Sequence, residues 1–263
     1  MHATDRQRAL ITGGSAGIGL EIAKLLAADG YELIIAGSSA RVETAALQLR
    51  DYGTEVIGVQ SDLSTPEGVA DVVNAVKNAG RLDVMVLNAG IALGGAFLEL
   101  TLEQHLQLVD LNIGSTVRLS YALLPMLLDS RGKILMVSSL SAYGPTPYES
   151  VYGPSKAFMT SFGHGLREEL RGTGVGVTIL HPGATATEFH DRAGMQATRF
   201  GDNSWKNDPA LVARQGVEAL MSGVSSAIGG DERTQQAGAE KRLQSEEDKA
   251  RHHADQMNRP ERQ

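Results

Sequence analysis

The chain has 263 residues, 42% of them hydrophobic and 21% charged, with a formal charge of −7 and no cysteine. A chain of this length buries roughly 70–75% of its unfolded surface and needs no disulfide or metal staple. The missing cysteine excludes disulfides, thiolate catalysis and cysteine-ligated zinc, and the acidic balance argues against a nucleic-acid partner.

The charged start MHATDRQR lacks the apolar stretch of a cleaved signal, and a short aliphatic strand, Ala9–Ile11, follows at once. Similar runs recur at Leu33–Ala36, Val56–Val59, Val84–Leu87, Lys133–Val137 and Val175–Leu180. Between them lie stretches with helical spacing. In Ile18–Leu26 the residues Ile18, Ile22, Leu25 and Leu26 share a face; the others are Val69–Val76, Leu102–Leu128 and Phe158–Leu170. Continuous apolar strands separated by helices predict a parallel sheet covered on both faces. This is a doubly wound, three-layer α/β/α architecture with ligands at the carboxyl ends of the strands. No run approaches the roughly 20 apolar residues of a bilayer span, so a cytoplasmic protein with no membrane partner is expected.

After Thr187 the rhythm breaks. Glu188–Asn207 mixes Gly, Asn, Asp and aromatics without a period and reads as a loop or short helices over the site. Asp208-Pro209 is an N-cap with Pro at the first helical position, opening a helix to about Met221. Val224–Ile228 reads as a weak edge strand. From Asp231 the chain is polar, and Leu243, Ala250 and Met257 offer little core. Residues 1–230 therefore read as one domain, and 231–263 as a marginal helix or disordered tail.

The first strand runs into Thr12-Gly13-Gly14-Ser15-Ala16-Gly17-Ile18-Gly19. Gly13, Gly17 and Gly19 let the backbone turn sharply and approach a pyrophosphate, and the helix N-terminus that follows offers free N–H groups and a positive dipole end. The spacing is G-x3-G-x-G rather than G-x-G-x-x-G. After the second strand no carboxylate occurs before Glu43, whereas Ser38, Ser39 and Arg41 suit a 2′-phosphate; this favours NADP(H) over NAD(H). Arg41 reads equally as a solvated residue opening the next helix.

Tyr152-Gly153-Pro154-Ser155-Lys156 puts a phenol and an ammonium on one helix face, with Pro154 tolerated only in the first turn. A nearby cation stabilises phenolate and makes the tyrosine a general acid/base. Ser139 stands thirteen residues upstream, after the strand Lys133–Val137, where its hydroxyl would hold a substrate oxygen; Ser138 and Ser141 compete for that assignment.

Together and in this order, the TGGSAGIG loop, Asp62-Leu63, Asn88-Ala89-Gly90, Asn112, Ser139, YGPSK and His181-Pro182-Gly183 with Thr185 and Thr187 resemble the short-chain dehydrogenase/reductase superfamily from about Arg8 to Val224. The resemblance implies a Rossmann-type fold and an NAD(P)-dependent oxidoreductase. Tyr152 would be the acid/base. Lys156 would lower its pKa and hold the nicotinamide ribose, Ser139 would orient the substrate oxygen, and Asn112 would position a relay water. Ser15, Gly17 and Ile18 would belong to the dinucleotide loop, Asp62 and Leu63 would meet the adenine, and Asn88, Ala89 and Gly90 would line the groove. Pro182, Gly183, Thr185 and Thr187 would hold the carboxamide. Leu87 replaces an asparagine, Ala16 stands where NADP-preferring members often carry Arg or Lys, and Gly153-Pro154 replaces a more usual x-Ala.

A small carbonyl or alcohol is the expected substrate, walled by Leu93, Ser141, Tyr148 and Phe189, with Met195, Phe200 and Trp205 also in the covering loop; packing alone explains these aromatics equally well. The resemblance also implies a homodimer or homotetramer paired through the long helices over Leu102–Leu128 and Tyr152–Arg171; small Gly163 and Gly165 would let a partner helix approach or equally serve packing within one subunit. His181, His190 and His252-His253 lack metal-ligand spacing and read as solvated, so no metal is expected. No G-x-S-x-G elbow surrounds Ser139. The rival readings are a catalytically silent NAD(P)-binding regulator or scaffold, and an isomerase, epimerase or dehydratase on the same fold.

Overall fold

The computed structural model describes residues 6–257, and its strands form one parallel sheet in the order β3-β2-β1-β4-β5-β6-β7. The first half alternates β1 (Arg8–Thr12), α1 (Gly17–Ala28), β2 (Glu32–Gly37), α2 (Arg41–Arg50), β3 (Val56–Gln60) and α3 (Pro66–Asn78). The second half continues with β4 (Val84–Leu87), α4 (Leu102–Val109), α5 (Ser115–Ser130), β5 (Lys133–Val137), α6 (Tyr152–Glu169) and β6 (Gly176–Pro182). It closes with α7 (Phe189–Arg192), α8 (Pro209–Ser222), β7 (Ser226–Gly229), α9 (Glu232–Lys241) and α10 (Glu246–Gln256).

Alternation along each strand sends neighbouring residues to opposite layers. Ala9, Ile11, Ile35 and Val86 pack with Ile22 and Leu26 of α1 and Val212 and Leu220 of α8. Leu10, Ile34 and Met85 pack with Val72 of α3, Leu119 and Leu123 of α5 and Met159 of α6. Each of the Ile, Leu, Val and Met side chains among these contributes roughly 1.5–3 kcal/mol relative to exposure. Strand order reverses between β1 and β4, and that switch point opens a crevice at the carboxyl edge. The predicted edge strand is present as β7, parallel to β6. Asp208 caps α8 by accepting from the Ala210 N–H at 3.0 Å, with Pro209 at the first helical position.

Three expectations change. The helix over Leu102–Leu128 is interrupted by a π-helical turn, Asp110–Gly114, between α4 and α5. The helical run Leu102–Ser130 spans 29 residues and is long and apolar enough to cross a membrane by length and composition, which corrects the reading that no segment approaches that size. Polar Asp110 and Asn112 break its contiguity in sequence, while Leu108, Leu119, Leu123 and Leu127 are buried in the protein core. The segment from Asp231, read as a marginal helix or disordered tail, forms α9 and α10, capped by Asp231 and Ser245. Lys249, His253 and Met257 are buried. A few long-range contacts, which its weak apolar pattern does not advertise, hold it. The last six residues of the predicted tail lie outside the described residues.

Candidate active site

The glycine turn is built on Thr12, the last residue of β1. Its Oγ1 donates to the Val86 carbonyl at 3.2 Å and accepts from Asn88 and Ala89 N–H at 2.9 and 3.0 Å. The Asn88 amide donates to the carbonyls of Thr12 and Gly13 at 3.0 and 3.3 Å, bracing the switch point. Gly13 has φ +65°, and a Cβ on Gly19 would lie 2.3 Å from the Gly13 carbonyl oxygen. Gly17 lies under Thr187, whose Cγ2 is 3.0 Å from the place of a Cβ. The N-terminus of α1 has no side-chain cap and no acid in its first turn. Free N–H groups, a positive dipole end and a cradle that any Cβ would fill fit a pyrophosphate.

Around this turn, Ser15 Oγ sits 2.9 Å from the place of a Cβ on Gly37, and Ile18 packs on the core. Ser38 and Arg41 are exposed at the end of β2. Arg41 is not simply solvated: it reaches across to Glu188 at 2.6 Å, with both side chains more than half exposed. Arg41 and Arg192 together hold the Glu188 carboxyl below its usual range. Asp62 accepts from the Ser64 N–H and hydroxyl at 2.9 and 2.7 Å, and Leu63 is buried in the core. Pro182 and Thr185 are buried, and the Thr185 hydroxyl donates to the Gly183 carbonyl at 2.9 Å.

Tyr152 opens α6 with Ser139 near enough for its hydroxyl to pull the phenol pKa down. The Ser139 oxygen also accepts from the Ser141 N–H at 3.0 Å. The serine ambiguity is thereby resolved in space. Ser138 points behind the sheet edge, donating to the Lys156 carbonyl at 2.9 Å and meeting Thr160 Oγ1 at 2.8 Å; Ser141 contributes through its backbone. Lys156 is buried, donates from Nζ to the Val137 carbonyl at 2.9 Å, and stands 5.9 Å from the Tyr152 ring centroid. Its Nζ is 3.5 Å from the place of a Cβ on Gly90. Asn112 sits in the π turn, a feature often found at functional sites. Its side chain pairs with both backbone groups of Ile91, each at 2.9 Å, and donates to Ser155 Oγ at 3.0 Å. The amide thus braces the loop after β4 against α6.

Burial governs the ionisation of the pair. It lifts the Tyr152 phenol above its ordinary pKa, with the Glu149 carboxylate adding to the rise and the Ser139 hydroxyl opposing it. Burial also pushes the Lys156 ammonium down to about 8. The depressed tyrosine pKa that the resemblance implies is therefore not the state of this structure: with its Nζ turned to the Val137 carbonyl, the lysine does not outweigh desolvation. Tyr152 rests as a protonated acid.

On the substrate side, Phe189 lies 5.6 Å from Tyr152, ring to ring. Leu93, Tyr148, Phe189 and Phe200 pack in one cluster with Tyr152, Met195 and Met257. Tyr148 holds φ +66°, uncommon for a bulky side chain, and its carbonyl accepts from the Gly95 N–H at 2.8 Å. His253, read as solvated, is buried beside Glu149, and His181 is fully buried against Thr160 and Tyr143. Burial pulls His181 and His190 each down to about 4. Neither Glu149 nor His253 carried a local signal that could have found them. Among the described residues no group of His, Asp and Glu is arranged to hold a metal.

The profile of the short chain dehydrogenase family matches residues 7–197. The serine 3-dehydrogenase of Rhizobium radiobacter is 34% identical over 182 residues, 68% of this chain and 72% of the relative. A short-chain dehydrogenase from Sphingobium yanoikuyae, solved with NADPH, superimposes with a TM-score of 0.79 at 30% identity, covering 84% of this chain and 87% of that one. The 3-oxoacyl-[acyl-carrier protein] reductase of Brucella melitensis, solved with NAD, gives 0.74 at 29% identity over 87% and 97% of the two chains.

Proposed function

We propose that this chain, which belongs to the short-chain dehydrogenase family and is an NAD(P)-dependent oxidoreductase, moves a hydride between the nicotinamide and a carbonyl or alcohol carbon, with Tyr152 as the acid/base. One observation carries the reading: Ser139, Tyr152 and Lys156 converge at the carboxyl edge of the sheet, close to a glycine turn that fits a pyrophosphate. The bound cofactor supplies or accepts the hydride. The protein's part is proton handling and orientation. Gly13, Gly17 and Gly19 hold the pyrophosphate, Asn88 to Gly90 line the groove, Pro182 to Thr187 hold the carboxamide, and Lys156 takes the ribose hydroxyls with the N–H bonds not given to Val137.

In the reductive direction Ser139 and Tyr152 share the substrate oxygen by hydrogen bonds, and Tyr152 gives its proton as negative charge grows there. In oxidation the same phenol oxygen takes the proton back. The carbonyl or alcohol lies against Leu93, Tyr148 and Phe189. NADP(H) is the preferred cofactor, because β2 ends without a carboxylate and Arg41 is held only by an exposed ion pair, which contributes about 0–1 kcal/mol and yields readily to a 2′-phosphate. The enzyme works in the cytoplasm on small molecules, as a homodimer or homotetramer. Leu98, Leu102, Leu106 and Tyr121, on and beside α4 and α5, are exposed and would supply apolar area for that pairing; sedimentation of the free protein measures it.

Two measurements test the reading. NADPH is expected to raise the melting temperature more than NADH at equal concentration, and the reverse order overturns the cofactor preference. Tyr152→Phe is expected to lower turnover of any accepted carbonyl by about 10²–10⁴-fold with nucleotide binding retained. Undiminished turnover, followed at the nicotinamide absorbance, removes Tyr152 from the chemistry.

A further inference from the structure

The loop from Ser139 to Tyr152 carries both groups that meet the substrate oxygen, and the C-terminal helices grip it at four successive points. Gly238 of α9 lies on Leu140, whose Cδ2 is 2.8 Å from the place of a Cβ, and Lys241 Nζ donates to the Leu140 carbonyl at 3.3 Å. Arg242 stacks over Tyr143, its guanidinium carbon 4.3 Å from the ring centroid, and donates to the Tyr143 hydroxyl. The stem of Lys249 in α10 rests on Gly144, with Cδ 2.4 Å from the place of a Cβ, so that only glycine fits without displacing the lysine. Deepest of all, His253 Nε2 stands 3.0 Å from Glu149 Oε2, with 6% and 5% of the two side chains exposed. The pair is at ion-pair distance but out of line for a hydrogen bond. The Glu149 carbonyl accepts the Tyr152 N–H at 2.9 Å, so a shift at this glutamate is felt one turn later at the catalytic residue.

We propose that α9 and α10 form a clamp that holds Ser139 and Tyr152 in register, with Glu149 and His253 as its positioning pair. The inference rests on the oxidoreductase reading above. Removing one member leaves the other a buried polar group without its neighbour, and the loop relaxes to rehydrate it. Misplacement by about 1 Å costs catalysis on the order of a hundredfold. The glycine turn is untouched by this movement, so the loss falls on kcat and not on nucleotide affinity. Glu149 also opposes ionisation of the phenol, which makes its exact seat matter to the chemistry as well as to the packing.

The test is a double-mutant cycle in the full chain: wild type, Glu149→Gln, His253→Gln and the double variant. Turnover of 2,3-butanedione with NADPH is measured alongside NADPH affinity, the latter from fluorescence of Trp205, the single tryptophan. Each single variant is expected to lose about tenfold or more in kcat with NADPH affinity unchanged. The double variant is expected to recover part of that loss, because two neutral amides can face each other. Strictly additive losses, or lower melting temperatures with kcat intact, overturn the proposal. Arg242→Gln, on an exposed side chain, covers the case in which a buried variant does not fold: kcat falls at constant NADPH affinity, and an unchanged kcat overturns the clamp. Should the wild type reduce no carbonyl, the functional reading fails by itself. The clamp is then judged by amide exchange of residues 140–149, which accelerates in Arg242→Gln if the clamp is real and stays at the wild-type rate if it is not.

Discussion

The turn between β1 and α1 and the loop between β5 and α6 both deliver groups to the same crevice, and they are held in place by different means. The glycine turn is secured by neighbours in the sheet: Thr12, Asn88 and the close approach of Gly19 to the Gly13 carbonyl. The serine–tyrosine loop borrows its rigidity from residues 99 and 101 positions away, where Arg242 meets Tyr143 and Lys241 meets Leu140. A phosphate cradle needs only backbone N–H groups in a fixed turn, which glycines and one helix start provide. An acid/base site needs two side chains from different elements in register, and the fourteen-residue loop between β5 and α6 cannot enforce that alone.

If the serine–tyrosine loop depends on remote packing, the largest effect on stability should come from the far end of the chain. Met257→Ala removes a side chain that is 1% exposed and is expected to cost about 2–5 kcal/mol, read from denaturant unfolding. A cost below that range would mean the helix end hardly belongs to the core, and the comparison would break there. Gly19→Ala comes next. Its Cβ would press to 2.3 Å on a backbone oxygen, and the overpacking is expected to cost about 1–3 kcal/mol and to weaken NADPH binding with little effect on how tightly α10 seats. Unchanged nucleotide affinity would show that the turn has slack the structure does not display.

The smallest effect is a pH dependence. Lys156 titrates at about 8 because burial disfavours its charge. In the proposed mechanism the ammonium below that pH lowers the cost of the phenolate formed when Tyr152 gives up its proton, and above it the help is lost. Reduction is therefore expected to slow as pH rises through about 8, by at most roughly tenfold per unit. Stability moves the other way. The folded pKa lies below the unfolded value near 10.5, so the unfolded chain binds more protons between about 8 and 10, and stability rises with pH across that window. A stability curve that fell there would contradict a buried Lys156.

Strand and helix order, the three-layer architecture and the glycine turn follow from local pattern. Apolar runs of strand length, helical periodicity and a Gly cluster between them each depend on residues close in the chain. The same holds for Tyr152 and Lys156, whose four-residue spacing fixes a shared helix face. Other features arise only when distant segments meet. That Ser139 rather than Ser138 meets the phenol depends on how β5 delivers its end to α6. That Asn112 becomes a strut depends on a π turn, and that Arg41 pairs with Glu188 depends on the loop after β6 folding back over α1. The segment after Asp231 shows the limit most clearly. Its sequence is polar enough to read as a tail, because periodicity reports only apolar faces. What orders α9 and α10 is a handful of long-range contacts, the buried Met257 and the polar pair His253 and Glu149 among them, and no pattern along the chain records which group will find which partner.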